Sequence, residues 1–126
     1  MEEGKPEGQE EMFNAKGIRK VNLFPCDILC AIVPKGAPQN KTIFMKDGRK
    51  YELIDYTLKY ITGLSHHLIQ ANRHCTVSKE HVTGQLKGFV FTLKGMPVEV
   101  GDTIKVSHTF RDKFIAHYHK RGTPVS

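Results

Sequence analysis

Between Ile18 and Val106, short runs of β-branched and aromatic residues alternate with Gly, Pro, Asn and Asp, the pattern of a chain laid out as strands and tight turns. The runs predict strands at 20–24, 28–33, 41–45, 50–54, 68–71, 75–77, 82–86 and 89–93. A turn at Lys94 and Gly95 follows, and then a last hairpin pairing 96–100 with 103–106 around Gly101 and Asp102. Asp47 and Gly48 sit between two such runs and predict a tight hairpin, because Gly takes the positive φ that these turns require. Residues 33–40 hold two prolines without alternation and read as an exposed loop. A helical period appears at 56–64, where Leu58, Ile61 and Leu64 share a face and Gly63 acts as a breaker. A second helix starts at Ser107, a suitable N-cap, with Phe110, Phe114, Ile115 and Tyr118 on one face and Arg111, Lys113 and Lys120 on the other. The expected fold is therefore mostly β, β-rich with two short helices.

Composition sharpens this picture. Residues 1–17 combine Gly, Pro, Glu and Gln with little to bury, so they read as a disordered acidic tail ahead of one domain at 18–122. A chain of 126 residues supports one modest core. The first twelve residues hold five glutamates and one lysine, so the remainder is more basic than the overall charge of +6, which suggests an anionic partner. No apolar run approaches the roughly 20 residues of a membrane span, and the acidic start is unlike a signal peptide. A cytoplasmic protein without membrane contact is expected. Cys26, Cys30 and Cys75 are too few for a disulfide framework and read as reduced thiols, Cys30 and Cys75 as small buried hydrophobes.

The chemistry that these residues support is narrow. Seven histidines suggest a metal, but Cys26 and Cys30 would lie about 13 Å apart on one face of a strand, and no second pair completes a tetrahedral site. Neither metal nor cofactor is expected. His74 and Cys75 are adjacent on a strand and point to opposite faces, so the imidazole does not activate the thiol. With no nucleophile elbow, phosphate-cradling loop or dinucleotide fingerprint, the chain reads as a non-enzyme with no small-molecule substrate. Nucleic-acid binding fits better. Asn72, Arg73 and His74 form a polar knot between two apolar runs, and Lys79, Lys94, His108, Arg111, Lys113, Lys120 and Arg121 add cationic and donor groups. Arg pairs bidentately with guanine and Asn with adenine, whereas Lys serves phosphates as a point charge. An RNA-binding sheet would need exposed aromatics, and Phe44, Tyr51, Phe89 and Phe91 alternate like core residues instead.

The collinear series of Asp27 to Val33, Ile43 to Tyr51, the Leu58 helix, the Arg73 knot ending in Thr76, Val77 and Ser78, Lys94 with Gly95, and Val106 to Arg111 resembles a LytTR-type DNA-binding domain over residues 20–120. The resemblance implies an elongated arrangement of small antiparallel sheets whose loops enter successive major grooves. It further implies a bacterial transcriptional regulator that binds double-stranded DNA, with a second copy on repeated half-sites. The family's recognition loop, which reads like Arg-x-His-Arg-Ser with an Asn beyond it, falls on Gln70, Asn72, Arg73, His74 and, at its far end, Ser78; Arg73 keeps the family residue. The second family site falls on Val106 and Ser107, with His108 in place of Arg, and Arg111 and Lys113 match the basic positions that follow. The alternative expectation is a LytTR-like protein-interaction or regulatory module without tight DNA binding.

Overall fold

Side-chain alternation along the strands is satisfied by two antiparallel sheets in a computed structural model that describes residues 9–120, with side chains as far as Ala116. The larger sheet contains β1 (Glu11–Ala15), β2 (Arg19–Leu23), β3 (Ile28–Ile32), β4 (Asn40–Met45), β5 (Lys50–Ile54), β6 (Leu68–Asn72) and β7 (Cys75–Ser78), with α1 (Leu58–Thr62) between β5 and β6. Its strand order is β2-β1-β5-β4-β3-β7-β6. The smaller sheet, ordered β10-β9-β8, contains β8 (Val82–Gln85), β9 (Val90–Leu93) and β10 (Thr103–Lys105), and α2 (Arg111–Lys120) follows it.

The large sheet is apolar on both faces. Phe13, Leu23, Ile43, Met45 and Leu53 pack with Leu58 and Ile61 of α1 on one side. On the other, Phe44, Ile69 and Val77 meet Phe91 and Ile104 of the small sheet and Phe114 of α2. A register shift between Ile28 and Cys30 lets the neighbouring residues Leu29 and Cys30 join the second core while Ile28 and Ala31 serve the first. The Asp47 hairpin forms as expected. Gly48 has φ +96°, and the Asp47 carboxylate accepts from the Arg49 amide at 3.0 Å and the Arg49 Nε at 2.7 Å.

Several expectations require correction. The tail does not extend to residue 17, because β1 pairs with β2 along its whole length and places Phe13 and Ala15 in the core at 2% and 1% exposure. Phe13 packs edge-on against Tyr56, with ring centroids 5.6 Å apart. One aromatic in a polar stretch gives little signal; its apolar surroundings come from strands and a helix distant in sequence. Residues 1–8 of the expected tail, Arg121 and the end of the domain at 122 lie outside the described residues, as do the side chains of Tyr118 and Lys120. The expected strand at 96–100 is a turn closed by amides of Val100 and Gly101 on the Pro97 carbonyl, with Val98 90% exposed. Pro97 has no amide for a ladder, so β10 pairs with β9 instead. The first helix is shorter than 56–64, capped by the Thr57 hydroxyl, which accepts from the Tyr60 amide at 3.0 Å. Ser107 makes no side-chain cap; a 3-10 turn at His108–Phe110 intervenes before α2.

Cys30 and Cys75 are buried and Cys26 is half-buried. Burial pushes the Cys75 thiol up to about 12 and raises Cys30 further, with Cys75 itself the second cause. Both buried groups are therefore neutral thiols. Their stabilising contribution is complete below pH about 9 and is lost as pH rises toward the folded value.

Two outcomes are expected. Phe13→Ala should lower the unfolding free energy by about 3–5 kcal/mol in urea titration, and a change under about 1 kcal/mol would remove residues 11–15 from the core. Iodoacetamide should modify only Cys26 in the native protein at pH 8 and all three cysteines in denaturant. The decline in stability above pH 9 should flatten in Cys75→Ala.

Candidate nucleic-acid interface

Strands β6 and β7 close on the pair Asn72 and Cys75, leaving Arg73 and His74 as a two-residue turn. Neither residue takes a positive φ, so the turn lacks the twist favoured in tight hairpins, and the ladder accommodates it by a register shift between Gln70 and Asn72. Asn72 holds the turn from within. Its Oδ1 accepts from the His74 amide at 2.8 Å, and its Nδ2 donates to the Lys105 carbonyl at 2.9 Å. Three more bonds brace the same strand end. Gln70 Nε2 donates to the Asn72 carbonyl at 3.0 Å, the Val33 amide to the His74 carbonyl at 3.1 Å, and the Ser107 amide to the Ala71 carbonyl at 3.0 Å. Arg73 and His74 are thus exposed on a turn fixed to two other segments, the loop after β3 and the stretch 105–107.

The bond from Ser107 to β6 also brings the start of the last helix beside this turn. His108 and Lys113 are exposed there. Arg111 is half-buried, with Nε donating to the Val106 carbonyl at 3.2 Å and its guanidinium 4.3 Å above the Phe89 ring. Phe89 itself has φ +63°, a strained backbone for a bulky residue, and follows Gly88 at +67°. A hollow of about 450 Å³ beside β6 is lined by Lys59 and Gly63 from the α1 side and by Phe110 and Lys113 from the α2 side, with Gln70 between them. Six of the ten expected site residues, Asn72, Arg73, His74, His108, Arg111 and Lys113, therefore share one region.

Lys79 and Lys94 do not join them. Lys79 follows Ser78, which pairs with Leu68 at the opposite end of the hairpin, about 13 Å along the strands from the turn. Its ammonium donates to the His66 carbonyl at 2.6 Å. Lys94 lies near it, its amide bonded to the His81 carbonyl at 2.9 Å and its own carbonyl 2.7 Å from His81 Nδ1. Two cations missed in the sequence, Lys35 and Lys105, lie close to the turn, and a third, Lys59, lines the hollow beside Gln70. Lys105 carried a usable signal, since it stands exposed between the buried Ile104 and Val106 at the end of a strand.

Among the described residues no three His, Cys, Asp or Glu side chains converge on a metal position. His67 is occupied structurally, with Nδ1 2.6 Å from the Ser65 hydroxyl and Nε2 2.7 Å from the Ile28 carbonyl. Phe44 and Phe91 are buried, which removes two of the four rings an RNA-stacking sheet would use. Ser78, at the far end of the loop alignment, is buried and cannot touch a ligand at the surface.

No family model matches the sequence, and no curated protein matches it. The fold is similar to a solved structure described as the LytTr DNA-binding domain of a methyl-accepting/DNA response regulator from Bacillus cereus. That likeness has a TM-score of 0.59 at 12% identity and covers 86% of this chain and 94% of that one. The chain has the LytTR-type fold, mostly β and built from antiparallel sheets.

Because Asn72 bonds both the turn and β10, Asn72→Ala should cost about 1–2 kcal/mol of stability, read by urea titration. The amide of His74 should lose protection in hydrogen exchange. An unchanged midpoint and unchanged exchange would mean that the side chain does not hold the turn.

Proposed function

We propose that the protein is a sequence-specific, DNA-binding transcriptional regulator that inserts the Arg73 turn into the major groove. The observation that carries this reading is an exposed arginine on a turn braced by two other segments, beside a cationic helix start, on a LytTR-type fold. Bracing matters because a base contact is directional: a guanidinium held in place loses less entropy on pairing than one on a mobile loop. Arg73 and His74 read base edges. Asn72, whose amide is committed inside the fold, positions them. Lys105, His108, Arg111 and Lys113 serve phosphates on the flanks, and Lys120 and Arg121 are proposed as further phosphate contacts.

Docking through the turn leaves Lys79 and Lys94, at the other end of the hairpin, outside the contact. A second copy on a repeated half-site would double the contacts. A regulator of this kind works in the cytoplasm of a bacterium and catalyses no reaction. The alternative, a protein-interaction module without tight DNA binding, is favoured by the inward commitment of Asn72 and by the exposed Met12, Ile18 and Phe24 near the β2 edge of the large sheet.

Selection of bound fragments from random duplex DNA should enrich one motif. On that motif, Arg73→Ala should cost about 1–3 kcal/mol and relax preference at one position. If one copy neutralises about five phosphates, log K falls against log salt with a slope near −4.5, reduced by about 1 in Lys113→Ala. Lys79→Ala/Lys94→Ala should leave the slope unchanged. Enrichment of no motif, with no salt-sensitive retention on duplex DNA, would sink the DNA reading in favour of the interaction module.

A further inference from the structure

Next to the recognition turn, on the side away from α1, lies a cavity of about 550 Å³. It is bounded by the loop after β3, the turn itself and the segment leading into β10. Its apolar wall includes Ile32, Val100 and Ile104, and its cationic groups are Lys35 and Lys105, with the His74 imidazole beside them as a polar group. The one acid on the wall, Glu99, has its carboxylate 3.3 Å from the Lys50 ammonium, so it is neutralised from elsewhere. Among the described residues no carboxylate pairs with Lys35, His74 or Lys105. The volume lies within the range of small-molecule sites, and an apolar wall with a few convergent polar groups is their usual composition.

We propose that this cavity binds a small amphipathic carboxylate, its acyl or aryl body against Ile32, Val100 and Ile104 and its headgroup among Lys35, His74 and Lys105. The charge balance selects the sign of the headgroup, and the wall selects an apolar body over a bare anion. The site is also linked to the turn. His74 lies on the cavity and in the turn, and Lys105 lies on the cavity while its carbonyl holds Asn72. A bound carboxylate therefore touches residues whose backbone groups hold the turn. The binding itself does not depend on the DNA reading.

The test uses the full chain without DNA, titrated calorimetrically and by NMR with octanoate, octylamine and inorganic phosphate. Octanoate is expected to bind saturably at one site and to shift the amide resonances of Arg73, His74 and Val100. Lys35→Ala/Lys105→Ala should weaken it about tenfold or more. Lys16→Ala/Lys20→Ala, which removes the same charge from the far edge of the large sheet, should leave it unchanged. Octylamine binding as tightly as octanoate would overturn the assignment. So would phosphate binding as tightly as octanoate, or an octanoate affinity insensitive to the Lys35 and Lys105 substitutions.

Discussion

Two hydrogen bonds between the end of β6 and residues 105–107, at and just past the end of β10, hold the architecture of the functional end together. The Ser107 amide bonds the Ala71 carbonyl at 3.0 Å, and Asn72 Nδ2 bonds the Lys105 carbonyl at 2.9 Å. They fasten the small sheet and α2 to the edge of the large sheet, so that Phe91, Ile104 and Phe114 cover Ile69, Ala71 and Val77. The same bonds set the position of the Arg73 turn. Core packing and site geometry thus share one set of contacts, and disturbing either disturbs the other.

Two threonine hydroxyls near this edge satisfy each other locally. On the opposite face of the large sheet, the Thr76 hydroxyl lies 2.7 Å from that of Thr62, which in turn reaches the Leu58 carbonyl at 2.7 Å, tying α1 to β7. The buried thiols on the inner side stay neutral, because burial disfavours the thiolate. Surface ion pairs such as Lys46 with Glu80 are exposed and contribute little to stability. The cations around the turn matter through their placement beside a rigid backbone; the overall basic charge would attract any polyanion equally well.

Most strands were legible because a period-two pattern needs only local information, and the Asp47 hairpin was legible because its turn residues carry their own φ preference. The failures have physical causes. The burial of Phe13 in β1 depends on Leu53, Tyr56 and the α1 face, none of which lies near it in sequence. Residues 96–100 have the composition of a strand, but Pro97 withholds an amide and its carbonyl closes a turn. At the site, Arg73 was visible as a cation in a polar knot. Asn72 looked like a second reader, and only its bonds to His74 and Lys105 reveal a positioning group.

By itself, the sequence determined a β-rich basic chain with two helices, thiols suited to burial and a polar turn between two apolar strands, since each of these follows from neighbouring residues and their intrinsic preferences. Tertiary structure alone decided which cations stand together. It joined Arg73 to Lys105, His108 and Lys113, separated Lys79 and Lys94 from them, and formed the cavity that Lys35 shares with the turn. The reason is that strand order and cross-sheet hydrogen bonds bring together residues tens of positions apart, and no local pattern encodes that adjacency.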